Sequence, residues 1–258
     1  LQVGYEIFER DAPHEADAEV FALISSVLRG LPVRAATGDI GILMAAVEGL
    51  STTERRKAAL RRHIWRPRRF RALMERFSGR ADVPASRVAL LAAEDAFAEA
   101  GPAIGLRTRH EVEARIAALR EDEAAGPLSQ GDVELMEAIL AVQETLPNAV
   151  EQLSDIAVDM PAIADAVDGL AKRTRALAAR GVDVAQLSFE ASYGRASMEY
   201  YDGFVFGFYA EARADLPPVA SGGRYDALTR QLGQGAEIPA VGGVVRPGLM
   251  LGLKEGTL

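Results

Sequence analysis

Glu6 is the first residue in the chain whose position asks for a chemical explanation. In the opening stretch Leu1 to Phe8, Val3, Tyr5 and Ile7 alternate with Gln2, Gly4 and Glu6. A strand would therefore carry Gln2 and Glu6 on one face. A carboxylate there needs a partner, either a neighbouring arginine that satisfies it in the core or a bound ligand. A second signal is the basic run Arg55, Arg56, Lys57, Arg61, Arg62, Arg66, Arg68, Arg69 and Arg71, with Trp65 and Phe70 interleaved. It reads either as a surface for an anion, a nucleotide or an acidic partner, or as a solvated helical face with Leu60, Ile64, Leu73 and Phe77 turned inward. Within it Arg61, Arg62, Arg66, Arg68 and Arg69 are the candidate partner or anion patch. The carboxylate clusters Glu94-Asp95, Glu121-Asp122-Glu123 and Asp132-Glu134-Glu137 lack the glycine-turned loops of a cation site and read as solvated helix surface. Taken alone, the pair Tyr200-Tyr201 reads as strand packing.

Composition narrows the chemistry further. The chain has 258 residues, 49% hydrophobic and 26% charged, with no cysteine. Disulfides, thiolate zinc sites, iron–sulfur clusters and cysteine nucleophiles are thereby excluded, and a cytoplasmic location is expected. His14, His63 and His110 have no metal-ligand spacing, so no metal is expected. A net charge of −8 argues against general attraction to nucleic acid. No apolar run approaches the roughly 18 to 20 residues needed to cross a bilayer, so no membrane partner is expected. GxxxxGK[ST], GxGxxG, HExxH and GxSxG are all missing, and no cofactor is implied. The chain opens at Leu1 in strand-like sequence without an initiator methionine. A natural N-terminal part is therefore expected to be missing, along with any motif it carried.

The elements that must position these residues follow from periodicity. After the opening strand, Val20, Leu23, Ile24, Val27 and Leu28 predict an amphipathic helix over about 15–29. A short strand over 33–37 precedes helices over 40–50, from the cap-type residues Ser51, Thr52 and Thr53 to about Trp65, and from Pro67 to near Gly79. From 81 to 181 the alanine, leucine and acidic content lacks strand alternation, which predicts an all-helical insertion broken at Gly126-Pro127 and near Pro161. Strand signals return over 186–193 and 198–210, with Gly194-Arg195 between them reading as a hairpin turn. A short helix over 225–232, a strand over 240–245 and a closing helix complete the pattern. The expected architecture is α+β: a core of residues 1–80 and 182–258, formed by an antiparallel sheet flanked by helices, with 81–181 packed to one side.

Four segments, taken in order, resemble the catalytic domain of histidyl-tRNA synthetase. They are Gln2-Val3-Gly4-Tyr5-Glu6, Glu199-Tyr200-Tyr201-Asp202-Gly203-Phe204-Val205-Phe206, Gly222-Gly223-Arg224-Tyr225-Asp226 and Pro239-Ala240-Val241-Gly242. The resemblance implies a class II aminoacyl-tRNA synthetase-like sheet and a histidine-binding site of Gln2, Glu6, Tyr200, Tyr201, Arg224 and Tyr225. By that pattern Gln2 and Glu6 contact the main-chain atoms and one imidazole nitrogen, Tyr201 meets the other nitrogen with Tyr200 beside it, and Tyr225 closes over the ligand. A carboxylate and a phenol on opposite sides satisfy both ring nitrogens, which an apolar pocket cannot do.

The departures point away from catalysis. Where the synthetase pattern has an Arg-Gly-Leu-Asp run whose arginine assists adenylate formation, this chain has Ala196-Ser197-Met198-Glu199, leaving Arg195 one position away on the opposite strand face. Where that pattern reaches an ATP-clamping arginine within Gly-Leu-Glu-Arg, this chain reads Arg246-Pro247-Gly248-Leu249. Charge developing on a transferring phosphoryl or adenylyl group needs such cations. The last residue, Leu258, follows soon after this motif, so no anticodon-binding module and no tRNA partner are expected. With Thr37-Gly38-Asp39-Ile40-Gly41 and Arg61-Arg62-His63-Ile64-Trp65-Arg66, the chain resembles the ATP phosphoribosyltransferase regulatory subunit family. That resemblance implies a noncatalytic homodimer that works with a short-form ATP phosphoribosyltransferase catalytic subunit in the first step of histidine biosynthesis, with L-histidine as effector. The alternatives are a histidine-activating or tRNA-charging enzyme whose missing residues lie upstream, and a freestanding histidine-binding paralogue.

Overall fold

The computed structural model describes residues 1–98, 100–102, 104–195, 199–236 and 238–257. Seven strands form one sheet: β1 (Val3–Phe8), β2 (Val33–Asp39), β3 (Gln143–Thr145), β4 (Ser188–Glu190), β5 (Phe204–Ala210), β6 (Ala220–Arg224) and β7 (Ala240–Val245). Their spatial order is β1-β7-β6-β5-β2-β4-β3. Every pairing is antiparallel except β2 with β4, which is parallel over Ala36↔Ser188 and Thr37↔Phe189. The sheet flanked by helices agrees with the expected fold class.

Side-chain alternation on β5 builds the core. Phe204, Phe206 and Phe208 face one way and surround Phe21 of helix α1 (Pro13–Val27), with ring centroids 6.2, 5.4 and 5.2 Å from it. Proline in the first turn of α1 suits a position that needs no amide donor. Ala16, Val20, Ile24 and Leu28 extend the same buried stripe at helical spacing. Fully burying the Phe21 side chain alone contributes about 1.5–3 kcal/mol of transfer free energy. On β1, Tyr5 donates a 3.0 Å hydrogen bond to Glu19 of α1. Glu6 therefore points away from that helix, toward the opposite face of the sheet.

Helices α2 (Ile40–Gly49), α3 (Glu54–Arg62) and α4 (Pro67–Phe77) follow β2. Asp39 caps α2 by accepting from the Gly41 amide at 2.8 Å, and Thr53 caps α3 by accepting from Arg56. Next come α5 (Ala85–Ala92), α6 (Arg109–Ala124), α7 (Gln130–Ala141), α8 (Leu146–Asp159) and α9 (Ala164–Ala179). α10 (Asp226–Leu232) and α11 (Pro247–Glu255) lie near the C-terminus.

Two features differ from the sequence reading. The segment 81–181 is not all helical, because β3 lies within it and pairs with β4 at the sheet edge. Three polar residues, Gln143-Glu144-Thr145, are too few and too exposed to display an alternating pattern. The same segment reaches the core through α9, where the Arg173 guanidinium lies 4.4 Å from the Phe204 ring centroid. Nor does Gly194-Arg195 join a hairpin: β2 stands between β4 and β5, and β5 begins only at Phe204. Strand propensity identifies aromatic and β-branched runs but does not say which run is the neighbour.

Candidate functional site

The exposed side of β1 and the ends of β6 and β7 enclose a cavity of about 250 Å³ lined by Gln2, Glu6, Tyr200, Tyr201, Tyr225 and Arg246. This is below the roughly 300–1,000 Å³ of sites for drug-sized ligands and suits an amino acid. Register brings the parts together: Glu6 stands opposite Gly242, and Gly242 opposite Gly223. A Cβ on Gly242 would lie 1.7 Å from Glu6 Oε2, and one on Gly223 would lie 2.8 Å from the Tyr201 ring. The glycines thus let a carboxylate and a phenol ring lie against bare backbone.

Tyr225 donates its hydroxyl hydrogen bond to Glu6 Oε2, closing one wall. The Tyr200 hydroxyl lies 3.3 Å from that of Tyr201, and their ring centroids are 4.4 Å apart. Tyr225 meets Tyr200 edge-on at 6.1 Å. Tyr201 is buried, and its carbonyl accepts a 3.2 Å bond from Trp65 Nε1. Burial, reinforced by Tyr200, pushes the Tyr201 phenol well above its ordinary range; burial and then Glu6 do the same for Tyr225. Both therefore stay protonated at neutral pH: Tyr225 donates to Glu6, and Tyr201, which accepts from Tyr200, keeps its own proton free to donate. Asp202 supports this wall by accepting from the Asp226 amide at 3.0 Å at the start of α10, while the Tyr225 amide donates to the Ala240 carbonyl at 3.0 Å.

Gln2, Glu6, Tyr200, Tyr201 and Tyr225 thus share one cavity, but Arg224 does not line it. Its guanidinium donates to Asp17 Oδ1 at 3.0 and 2.6 Å, to Asp226 and to the Pro13 carbonyl. Asp17, fully buried, also accepts from Arg173 at 3.0 Å, and Arg173 reaches Asp39. The position assigned to a ligand contact is therefore a strut linking α1, α9, β2 and β6. Alternation along β6 explains it, since adjacent residues leave opposite faces. Arg246, read in the sequence only as part of a departure, is a lining cation held by its 2.6 Å bond to the Pro218 carbonyl. Its place at the end of a strand leading into the pocket was the only available signal.

The basic run follows the inward reading along its apolar side: Leu60, Ile64 and Phe77 are buried, with Leu73 packed against them. Arg61 pairs with Glu48, and Arg66 with Glu199 at 3.3 Å. Arg62, Arg68 and Arg69 stay exposed and make no ion pair among the described residues. Arg56 is buried and binds Asp122 at 2.7 Å, so this carboxylate is not the solvated one expected. Ala196, Ser197 and Met198 lie outside the described residues. Among the described residues no cluster of three metal-ligating side chains occurs, and no helix is long and apolar enough to cross a membrane.

A glycine-floored pocket with a carboxylate, phenols, an amide and a guanidinium, set on a mainly antiparallel sheet backed by helices, is the architecture of a class II synthetase core. Residues 107–247, more than half of the chain, match the family model described as histidyl-tRNA synthetase, and the chain belongs to that family. It is 41% identical over 120 residues to an ATP phosphoribosyltransferase regulatory subunit from Agrobacterium fabrum, covering 46% of this chain and 31% of that relative. Among solved structures it resembles an ATP phosphoribosyltransferase regulatory subunit/histidyl-tRNA synthetase from Bacillus halodurans, at TM-score 0.64 and 21% identity, over 98% of this chain and 52% of the other. An ATP phosphoribosyl transferase complex from Thermotoga maritima matches at TM-score 0.50 and 15% identity, over 95% of this chain and 65% of its own. The chain thus spans about a third of that curated relative and about half of the Bacillus structure.

Proposed function

We propose that the protein is a noncatalytic, histidine-sensing regulatory subunit that works in the cytoplasm with a short-form ATP phosphoribosyltransferase catalytic subunit, as a homodimer within a hetero-oligomer. The observation that carries the reading is a small pocket whose carboxylate and phenols complement an imidazole ring, with Arg195 outside its lining. Glu6 accepts from one imidazole nitrogen, Tyr201 and Tyr225 supply phenols, and Gln2 and Arg246 meet the amino and carboxylate groups. Arg195, which directly precedes the altered catalytic run, is turned away: its Nε donates at 2.8 Å to the Ile64 carbonyl and it does not line the pocket. The regulatory-subunit name of the Agrobacterium relative and the complex from Thermotoga support a partner of that kind.

A binding site without its own chemistry acts only by shifting an equilibrium elsewhere. Histidine occupancy and the active arrangement of the complex then disfavour one another, by about 1 to 3 kcal/mol. Reconstitution with the catalytic subunit tests this. Histidine inhibits the complex, and Glu6→Gln shifts the inhibition curve to higher histidine while assembly is unchanged. Full activity and full inhibition of the catalytic subunit alone, or histidine-dependent ATP–pyrophosphate exchange by this chain, would overturn the reading.

A further inference from the structure

A second and larger cavity, about 760 Å³, opens between α4 and α7 and shares no lining residue with the site above. Phe70 and Met74 of α4 and Met136 and Leu140 of α7 form its apolar wall. Arg71 and Arg195 also line it, near enough for their charges to interact.

Arg195 is only 5% exposed. Its Nε is taken by the Ile64 carbonyl, and its guanidinium carbon lies 4.9 Å from the Phe70 ring centroid. Its Nη2 is buried with no hydrogen-bond partner among the described residues. Orphaned donors on a charged group are costly and uncommon in folded proteins. Burial, and then the nearby charge of Arg71, lowers the Arg195 guanidinium to about 10, so it remains a cation at neutral pH. Arg71 makes no ion pair among the described residues. Of the other charges on the lining, Arg80 is held by Glu137 at 2.6 Å, which leaves Glu75 as the single unpaired carboxylate.

We propose that this cavity binds an organic phosphate, its anionic head against Arg195 Nη2 and Arg71 and its flat apolar part over Met74 and Leu140. Phosphate is favoured over carboxylate by the number of acceptors. Glu75 offsets one of the two free cations, but a phosphate monoester presents three strong acceptor oxygens, enough to engage both guanidinium forks at once, whereas a carboxylate has two and suits a single fork. The volume falls within the roughly 300–1,000 Å³ range of small-molecule sites, large enough for a nucleoside monophosphate.

Calorimetry on the full chain tests the assignment with AMP, ribose 5-phosphate and phenyl phosphate as probes, beside adenosine, benzoate and inorganic phosphate. At least one organic phosphate binds at least about tenfold more tightly than its dephosphorylated counterpart, than benzoate and than inorganic phosphate. Arg71→Gln, on the exposed rim, and Arg195→Lys, which keeps the charge but not the fork, each weaken it about tenfold or more, as loss of a charged hydrogen bond does. Saturating histidine leaves that binding unchanged. The proposal falls if no organic phosphate binds in an Arg71-dependent way, if benzoate binds as tightly, or if histidine displaces the phosphate. A melt matching the parent's shows that Arg71→Gln has kept the fold.

Discussion

Glu6 and Tyr225 meet across 219 positions of sequence, and their hydrogen bond sets the chemistry of the pocket. Gly242→Ala drives a methyl group into the Glu6 carboxylate and breaks that contact. Its expected outcome is loss of histidine binding by about tenfold or more, read by calorimetry, while the melting temperature moves by a few degrees at most. The phenols also set a pH limit. Tyr193, Tyr201 and Tyr225 are all raised above the ordinary value near 10, chiefly by burial. The unfolded chain therefore releases these protons first, so their stabilisation is complete below about pH 10 and is lost as pH rises through the raised values. Urea melts between pH 9 and 11.5 should show stability falling, and Tyr201→Phe should flatten the fall. Alternation placed Gln2 beside Glu6, but the tyrosines joined them only through the resemblance to histidyl-tRNA synthetase, whose motifs are short contiguous runs; taken alone, Tyr200-Tyr201 read as strand packing. Arg224 was misplaced because a motif names a residue without saying which face of the strand its side chain leaves.

Between elements, several ties are charged ones that no window of sequence displays. Asp17 accepts from Arg173, 156 positions away, and from Arg224, 207 away. In the linear chain each reads as an ordinary polar residue of its segment. Replacing Asp17 by Asn leaves two buried guanidiniums short of an anion, and destabilisation of about 3–5 kcal/mol is expected from denaturant melts. Arg224→Gln in the same background should recover part of that loss, because it removes one uncompensated charge. Helix boundaries were more legible: Thr53 and Pro67 mark starts through cap chemistry that acts within a few residues. β3 was not legible, since three polar residues pair only because β4 is already in place.

At the scale of the whole chain, β1 forms one edge of the open sheet and pairs with the sequence-distant β7, from Val3↔Val245 to Phe8↔Ala240. The pocket therefore exists only when the entire core has formed, and a ligand that binds it stabilises the whole core. Histidine at 100 times its dissociation constant should add about 2.7 kcal/mol of stability, seen as a rise in melting temperature that Glu6→Gln cuts by about half or more at the same concentration. The connection from α5 to α6 is the reverse case. Ile104, Leu106 and Arg107 are exposed and outside regular elements, so trypsin should cut first after Arg107, leaving histidine binding intact. The glycine seam has a further consequence for how this pocket could diversify. Because Gly223 and Gly242 present peptide backbone instead of side chains, the floor offers nothing to adjust: any substitution there acts as a plug. Changes of preference are confined to the rim, where Gln2, Glu6, Tyr200 and Arg246 can be exchanged one at a time over an unaltered base.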